Sequence, residues 1–313
     1  MKSDLLKVKL NKLKGMNKFL ISCYITVCLL ITSCSFNGIF LQPDAIPAQI
    51  KKATIKDGTD STVVYFNEEN HQPVFVKNGT DTLDKRFTIE SVVFKSTSGN
   101  NLNGWFIEPV NETPEITLLA FHGNAGCLLS QYQFMIPLVQ KGFRIFIFDY
   151  SGFGFSEGKA TRKNVLLDGL SALDFLLSRP EKKATKLVLY GQSLGGHLSA
   201  VVANQRQQDI DGLVIEGAFS SHDDIAANTA GFLGRLLVKE MYSGKKSITG
   251  YKKPLLVIHS TEDTTVPFSN GKTIFENANE PKEFYEIKGS HIYGPILYPD
   301  EIANKITNMF KKN

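Results

Sequence analysis

Between Lys186 and Val202 the chain reads as an apolar strand, a turn Gly191-Gln192-Ser193-Leu194-Gly195, and a run of small and apolar residues suited to a helix. A serine on so tight a strand-to-helix turn holds its hydroxyl clear of the backbone. The glycines two positions to either side are needed because side chains there would clash. The pentapeptide alone carries little, since glycine and serine are common; the strand before it and the helix after it carry the reading.

Serine is a poor nucleophile until a positioned base takes its proton. Downstream, the apolar run Pro254–Ile258 leads into His259-Ser260-Thr261-Glu262-Asp263, and the short run Glu283–Ile287 leads into Lys288-Gly289-Ser290-His291. Asp263 and His291 are thus a candidate acid and base beyond the carboxyl ends of strands, in the chain order Ser, Asp, His. Glu262, next to Asp263, and Glu216 and Asp149, which also end apolar runs, are alternative acids on residue pattern alone.

Four stretches share a family likeness: Leu102-Asn103-Gly104-Trp105-Phe106, Phe121-His122-Gly123-Asn124-Ala125-Gly126, the run Asp149-Tyr150-Ser151-Gly152-Phe153-Gly154-Phe155-Ser156-Glu157-Gly158, and Gly191-Gln192-Ser193-Leu194-Gly195-Gly196. Over residues 86–312 the chain resembles the α/β-hydrolases, specifically the lid-poor, esterase-like branch akin to the Bem46 proteins. In the first 85 residues only Phe40-Leu41-Gln42-Pro43 shares the likeness. The resemblance implies an α/β fold, with a mostly parallel twisted sheet, helices on both faces and little or no cap domain. It implies a serine esterase or thioesterase working through an acyl-enzyme on Ser193, with Asp263, selected by the string Asp-x-x-Val-Pro, and His291. It maps the oxyanion hole onto the N–H groups of Asn124 and Leu194, implies no cofactor, and makes Asp149 part of a structural turn. A prolyl-oligopeptidase-like peptidase shares the elbow but needs a propeller this chain has no room for. A non-catalytic envelope protein on the same fold is the alternative from another class.

The remaining histidines read as support: His122 holding the oxyanion loop, His259 ending a strand, His197 beside the elbow, and His71 and His222 without a motif. No C-x-x-C or H-E-x-x-H spacing occurs, so no metal site is expected. Strand-like runs at Ile116–Phe121, Arg144–Phe148, Lys186–Tyr190, Gly212–Ile215, Pro254–Ile258 and Glu283–Ile287 alternate with amphipathic stretches, the pattern of a parallel sheet covered by helices. Runs near Ile89–Lys95 and Asn101–Ile107 would start it as antiparallel strands. Phe153, Phe155, Phe219, Phe232 and Leu233 are candidate apolar walls of a fairly open pocket.

Five lysines between Lys7 and Lys18 precede the apolar run Phe19–Ile31 and then Thr32-Ser33-Cys34. A basic start and an apolar segment short of the ~20 residues of a bilayer span fit a signal peptide over residues 1–33. Ile31-Thr32-Ser33-Cys34 resembles a bacterial lipobox, which implies lipidation at Cys34 and anchorage to a membrane of the cell envelope; Met16 is a second plausible start. That leader carries six of the 35 lysines and arginines and one of the 31 carboxylates, leaving 29 basic against 30 acidic residues and a near-neutral body. The basic balance is therefore a targeting signal, and no nucleic-acid partner follows from it. The expected partners are a small-molecule or acylated substrate and the membrane. Cys127 is the one cysteine beyond Cys34, so no internal disulfide can form, and it reads as a small buried thiol. Residues 34–85 form an extension with two hairpin signals, Asp57-Gly58 and Asn78-Gly79, read either as a decoration spacing the enzyme from the membrane or as a contact for substrate. Residues 86–313 form the catalytic domain.

Overall fold

The computed structural model describes residues 40–57, 60–77, 80–81, 86–179, 186–226 and 240–310. The leader with Cys34, the turn residues 58–59 and 78–79, and the candidate wall residues Phe232 and Leu233 lie outside the described residues.

Eight strands form the main sheet: β1 (Phe87–Lys95), β2 (Asn101–Pro109), β3 (Ile116–Phe121), β4 (Arg144–Phe148), β5 (Lys186–Gln192), β6 (Gly212–Glu216), β7 (Leu255–Ser260) and β8 (Lys282–Ile287). Their order is β8-β7-β6-β5-β3-β4-β2-β1. β1 and β2 pair antiparallel and β2 joins β4 antiparallel, while every pairing from β4 to β8 is parallel. The apolar runs thus mark the strands, some ends being longer by a residue or two, and the expected fold class holds. Every residue of β3 and β4 is buried, as a parallel strand covered on both faces requires, whereas β1 at the edge alternates.

Side chains alternate between the two faces. Leu118, Val188, Tyr190, Val214 and Leu256 share a core with Leu138, Val139 and with Ile302 and Ile306 of a C-terminal helix, Pro299–Asn308. On the opposite face Phe106 stacks on Phe146 at 4.4 Å, and Phe94 stacks at 4.8 Å on Phe175 of helix α1 (Arg162–Leu177). Among the described residues no helix is long and apolar enough to cross a membrane.

The extension is a four-stranded antiparallel sheet of Lys52–Asp57, Asp60–Phe66, Pro73–Lys77 and Thr80–Asp81. Its inner residues Val64, Phe66 and Phe75 belong to the same buried core as Trp105 and Tyr132, with Phe75 edge-on to Trp105 at 6.4 Å. Its outer residues Tyr65 and Val74, cross-strand neighbours, are each 47% exposed. Polar clamps tie it to β1: Gln72 Nε2 donates to Ile89 O at 2.7 Å, and Ser91 N donates to Gln72 Oε1 at 2.8 Å. The reading of this segment as a surface decoration is therefore corrected, because the large apolar face of β2 needs it as a cover. Phe75→Ala is expected to destabilise the protein by about 3–5 kcal/mol in urea unfolding. A decoration would give a change within about 0.5 kcal/mol.

Candidate active site

β5 ends at Gln192 and helix α2 (Leu194–Gln205) begins at Leu194, leaving Ser193 alone on the turn with φ 54° and ψ −117°. A Cβ in that conformation is strained. The turn is tight because α2 starts against the end of β3: a Cβ on Gly195 would lie 2.0 Å from Phe121 O and 2.6 Å from His122 O. Ser193 N donates to Glu216 O at 2.9 Å, pinning the elbow to the end of β6. Leu194 and Gly195 supply the first amides of α2, which have no carbonyl partner within the helix.

The loop after β3 lies next to the elbow, since a Cβ on Gly123 would be 3.8 Å from Ser193 Cβ. His122 Nδ1 is 2.8 Å from Gly123 O, its ring is buried, and burial pushes its pKa down to about 4. A neutral imidazole at neutral pH, donating to that carbonyl, fixes the Gly123–Asn124 peptide and with it the direction of the Asn124 N–H. Cys127 follows, buried; burial, with the carboxylate of Asp149 nearby, pushes its thiol up to about 12, too high for a thiolate nucleophile.

His291 sits on the loop after β8 with its ring against Gly217, where a Cβ would come within 3.2 Å of Cε1 and Nδ1. Only glycine suits a position so close, with φ +57° besides. Serine and imidazole thus flank one stretch of backbone, Glu216-Gly217. His291 Nδ1 is 2.6 Å from Asp263 Oδ2, and the Asp263 side chain is 1% exposed. The other oxygen, Oδ1, accepts from Thr265 N and Val266 N, both at 2.8 Å. Burial opposes ionisation of Asp263, but hydrogen bonds from His259, His291 and Val266 outweigh it and hold the carboxyl well below the usual range. In the neutral ring, donation from Nδ1 to a carboxylate leaves the lone pair on Nε2. That Nε2 is buried and, among the described residues, hydrogen-bonded to no group, Ser193 Oγ included, as is common before substrate binds.

Of the three other carboxylates weighed, none holds the imidazole. Glu262 Oε2 accepts from Gly289 N at 2.9 Å, and Asp149 Oδ1 accepts from Leu128 N at 2.9 Å, behind the loop. Glu216 has a task that residue pattern alone did not reveal. Its Oε2 accepts from Tyr190 OH at 2.9 Å and Gln192 Nε2 at 2.8 Å, and its Oε1 accepts from Gly294 N at 2.7 Å. Gln192 Nε2 also reaches Ile292 O at 3.2 Å, where Ile292 is held at φ 57°. This buried clamp ties the elbow to the residues after His291 and keeps a β-branched residue in a conformation it disfavours. Burial pushes the Glu216 carboxyl up, against these donors.

Two of the candidate wall residues, Phe153 and Phe155, do other work. Phe153 is fully buried against His122 and Tyr150, while Phe155 stacks on His71 at 4.0 Å and meets Phe66 edge-on, anchoring the N-terminal sheet. His259 is buried with Nε2 3.0 Å from Val266 O, steadying the loop that carries Asp263. Among the described residues no group of three or more His, Cys, Asp or Glu is placed to hold a metal ion.

His197, on the first turn of α2, stacks on Phe219 at 4.4 Å, and burial pushes its pKa from 6.5 to about 4. The unfolded chain takes up a proton there between those values and the folded chain does not. The stability this residue contributes is therefore full above pH 6.5 and lost as the pH falls towards 4, by up to ~1.4 kcal/mol per pH unit. Urea unfolding across that window should show a steeper loss for wild type than for His197→Asn; equal slopes would remove His197 as the cause.

Residues 116–236 match the family model described as the alpha/beta hydrolase fold. The uncharacterized protein YfhR of Salmonella typhi is 33% identical over 237 residues, covering 71% of this chain and 78% of that relative. Protein bem46 of Schizosaccharomyces pombe is 30% identical over 168 residues, 50% of this chain and 55% of its own length. Among solved structures, the Pyrococcus furiosus esterase Pf2001 superposes with a TM-score of 0.60 over 72% of this chain and 91% of its own, at 19% identity, a likeness of fold.

Proposed function

The chain belongs to the α/β-hydrolase family, in its Bem46-like branch, and from that premise we propose that it is a serine hydrolase cleaving carboxylic ester or thioester bonds through an acyl-enzyme on Ser193. The observation that carries the reading is the 2.6 Å contact of His291 Nδ1 with the buried Asp263, on a ring that shares its backbone support with the strained serine elbow.

In this reading Ser193 Oγ attacks the acyl carbon as His291 Nε2 takes its proton. The same nitrogen then returns the proton to the departing alcohol or thiol. Asp263 orients the imidazole and stabilises it as imidazolium. The Leu194 and Asn124 amides receive the oxyanion, where loss of one donor typically costs ~10²–10³ in rate. Water, activated by His291, releases the acid. The esterase name of a structure with the same fold fits an ester substrate.

Fluorophosphonate labelling, mapped by mass spectrometry to the peptide containing Ser193, tests the nucleophile. Rates on p-nitrophenyl esters of graded chain length, an acyl thioester and an anilide test the bond. Labelled protein that turns over esters or thioesters much faster than the anilide supports the reading. Comparable anilide turnover moves it to a peptidase, and a folded protein that resists the probe moves it to a binding protein. The same proposal places the enzyme in a bacterial envelope, periplasm-facing or surface-exposed, held to a membrane by lipid on Cys34. The basic leader and the Ile31-Thr32-Ser33-Cys34 string support this. Metabolic labelling with an alkynyl fatty acid should mark the wild type and not Cys34→Ala.

A further inference from the structure

In the loop after β3, four consecutive carbonyls each have a donor. Gly123 O is met by His122 Nδ1 at 2.8 Å and Ala125 O by Gln131 Nε2 at 2.9 Å, both from the loop's own surroundings. The other two are held from far away in sequence: Gln42 N donates to Asn124 O at 2.7 Å, and Asp44 N donates to Gly126 O at 3.0 Å. Gln42–Pro43 runs parallel to Ala125–Gly126 as a two-stranded ribbon. The same segment continues onto the turn after β4, where Gly154 N donates to Asp44 O at 3.0 Å and Ile46 N donates to Gly154 O at 2.7 Å.

We infer that residues 42–46 are a positioning strap for the oxyanion loop, and that the Gln42 N–H bond to Asn124 O sets the rate of acyl transfer at Ser193. The inference rests on the hydrolase reading above. Its physical basis is the peptide that follows Asn124. Each peptide unit is rigid and planar, so a carbonyl bound on one side fixes the amide on the other. Two bonds bracket Asn124: His122 fixes the plane before it and Gln42 the plane after it. Without the second, the Asn124–Ala125 peptide is free to turn, and the Asn124 carbonyl, no longer held by Gln42, can swing its negative end towards the space where negative charge develops beside the Asn124 N–H. Oxyanion stabilisation depends on dipoles placed in advance, so a carbonyl dipole free to turn towards that charge is costly. Gln42, Pro43 and Asp44 are exposed, so the strap adds little buried apolar surface. It acts through backbone donors, which suits positioning better than stabilisation.

The test compares Gln42→Pro, which removes the N–H, with Gln42→Ala, which keeps it, in the full chain. Active-site titration with a fluorophosphonate counts competent sites, and kcat per site and KM are measured on a p-nitrophenyl ester. Gln42→Pro is expected to lose about 10- to 100-fold in kcat per site with KM nearly unchanged, less than the ~10²–10³ of a donor lost outright. Gln42→Ala should match wild type. A Gln42→Pro protein that merely misfolds would show fewer sites at an unchanged rate per site, and that result overturns the strap. Equal loss in Gln42→Ala overturns it too, since the side chain would then be responsible. A wild type that neither takes the probe nor cleaves esters overturns the hydrolase reading and the strap's role together, so the two failures are distinguishable.

Discussion

Ser193→Gly is expected to lose ester hydrolysis by on the order of 10⁴–10⁶-fold and to be more stable than Ser193→Ala. Both variants lack the hydroxyl, so neither can form the proposed acyl-enzyme. What separates them is the backbone. With φ 54° and ψ −117°, position 193 lies where a Cβ is strained, a cost of about 1–3 kcal/mol that glycine escapes. Part of that gain is offset because glycine gives the unfolded chain more freedom, worth roughly 0.5–1 kcal/mol. The net expectation is a Ser193→Ala protein that unfolds near wild type and a Ser193→Gly protein that unfolds later. Steady-state rates on a p-nitrophenyl ester and thermal unfolding of the three proteins check both halves. Substantial residual activity in Ser193→Ala would remove Ser193 as nucleophile, and a Ser193→Gly protein no more stable than Ser193→Ala would remove the strain.

The parts of this molecule that were legible in its sequence are those written in side chains of short spacing. The elbow is read from glycines at fixed offsets, and the central strands β3 to β7 from near-continuous apolar runs, because a parallel strand covered on both faces leaves little room for anything else. The role of the N-terminal sheet was not legible. Val64, Phe66 and Phe75 alternate with exposed residues as in any hairpin, and which surface they cover depends on packing against Trp105 and Tyr132, which are distant in sequence. The backbone bonds from Gln42 and Asp44 leave no trace at all, since any residue but proline supplies an N–H. Glu216 stood in the sequence as one of several carboxylates ending an apolar run. Only the register of β5 against β6, which sets Gln192 beside Glu216, shows that it clamps the elbow to the loop after His291. Glu262 and Asp263 are neighbours, and their separation into a loop tie and an imidazole partner comes from the turn that aims Thr265 N and Val266 N at Asp263.

That turn makes Asp263→Asn the sharpest test of the imidazole's role. Because the two amides donate to Oδ1 at 2.8 Å, the asparagine variant must keep its carbonyl oxygen there. Its NH₂ group then takes the place of Oδ2, 2.6 Å from His291 Nδ1, and confronts that nitrogen with a donor. His291 can answer only by accepting at Nδ1 and carrying its proton on Nε2, the tautomer that cannot take a proton from Ser193. His259, 3.5 Å from the same Oδ2, loses its acidic neighbour at the same time but gives the amide no reason to turn over. The expected result is a fall in kcat of about 10⁴-fold, as a locked wrong tautomer produces in the chymotrypsin-type Ser-His-Asp triad, with little change in KM. Stability should fall as well, because the wild-type carboxylate is held well below its usual pKa by its donors and therefore favours the folded state at neutral pH. Measuring kcat, KM and urea unfolding for wild type and Asp263→Asn separates the two effects. If kcat falls only severalfold in a folded protein, Asp263 is not the group that sets the tautomer, and Glu216, whose side chain clamps the loop just beyond His291, becomes the next carboxylate to replace.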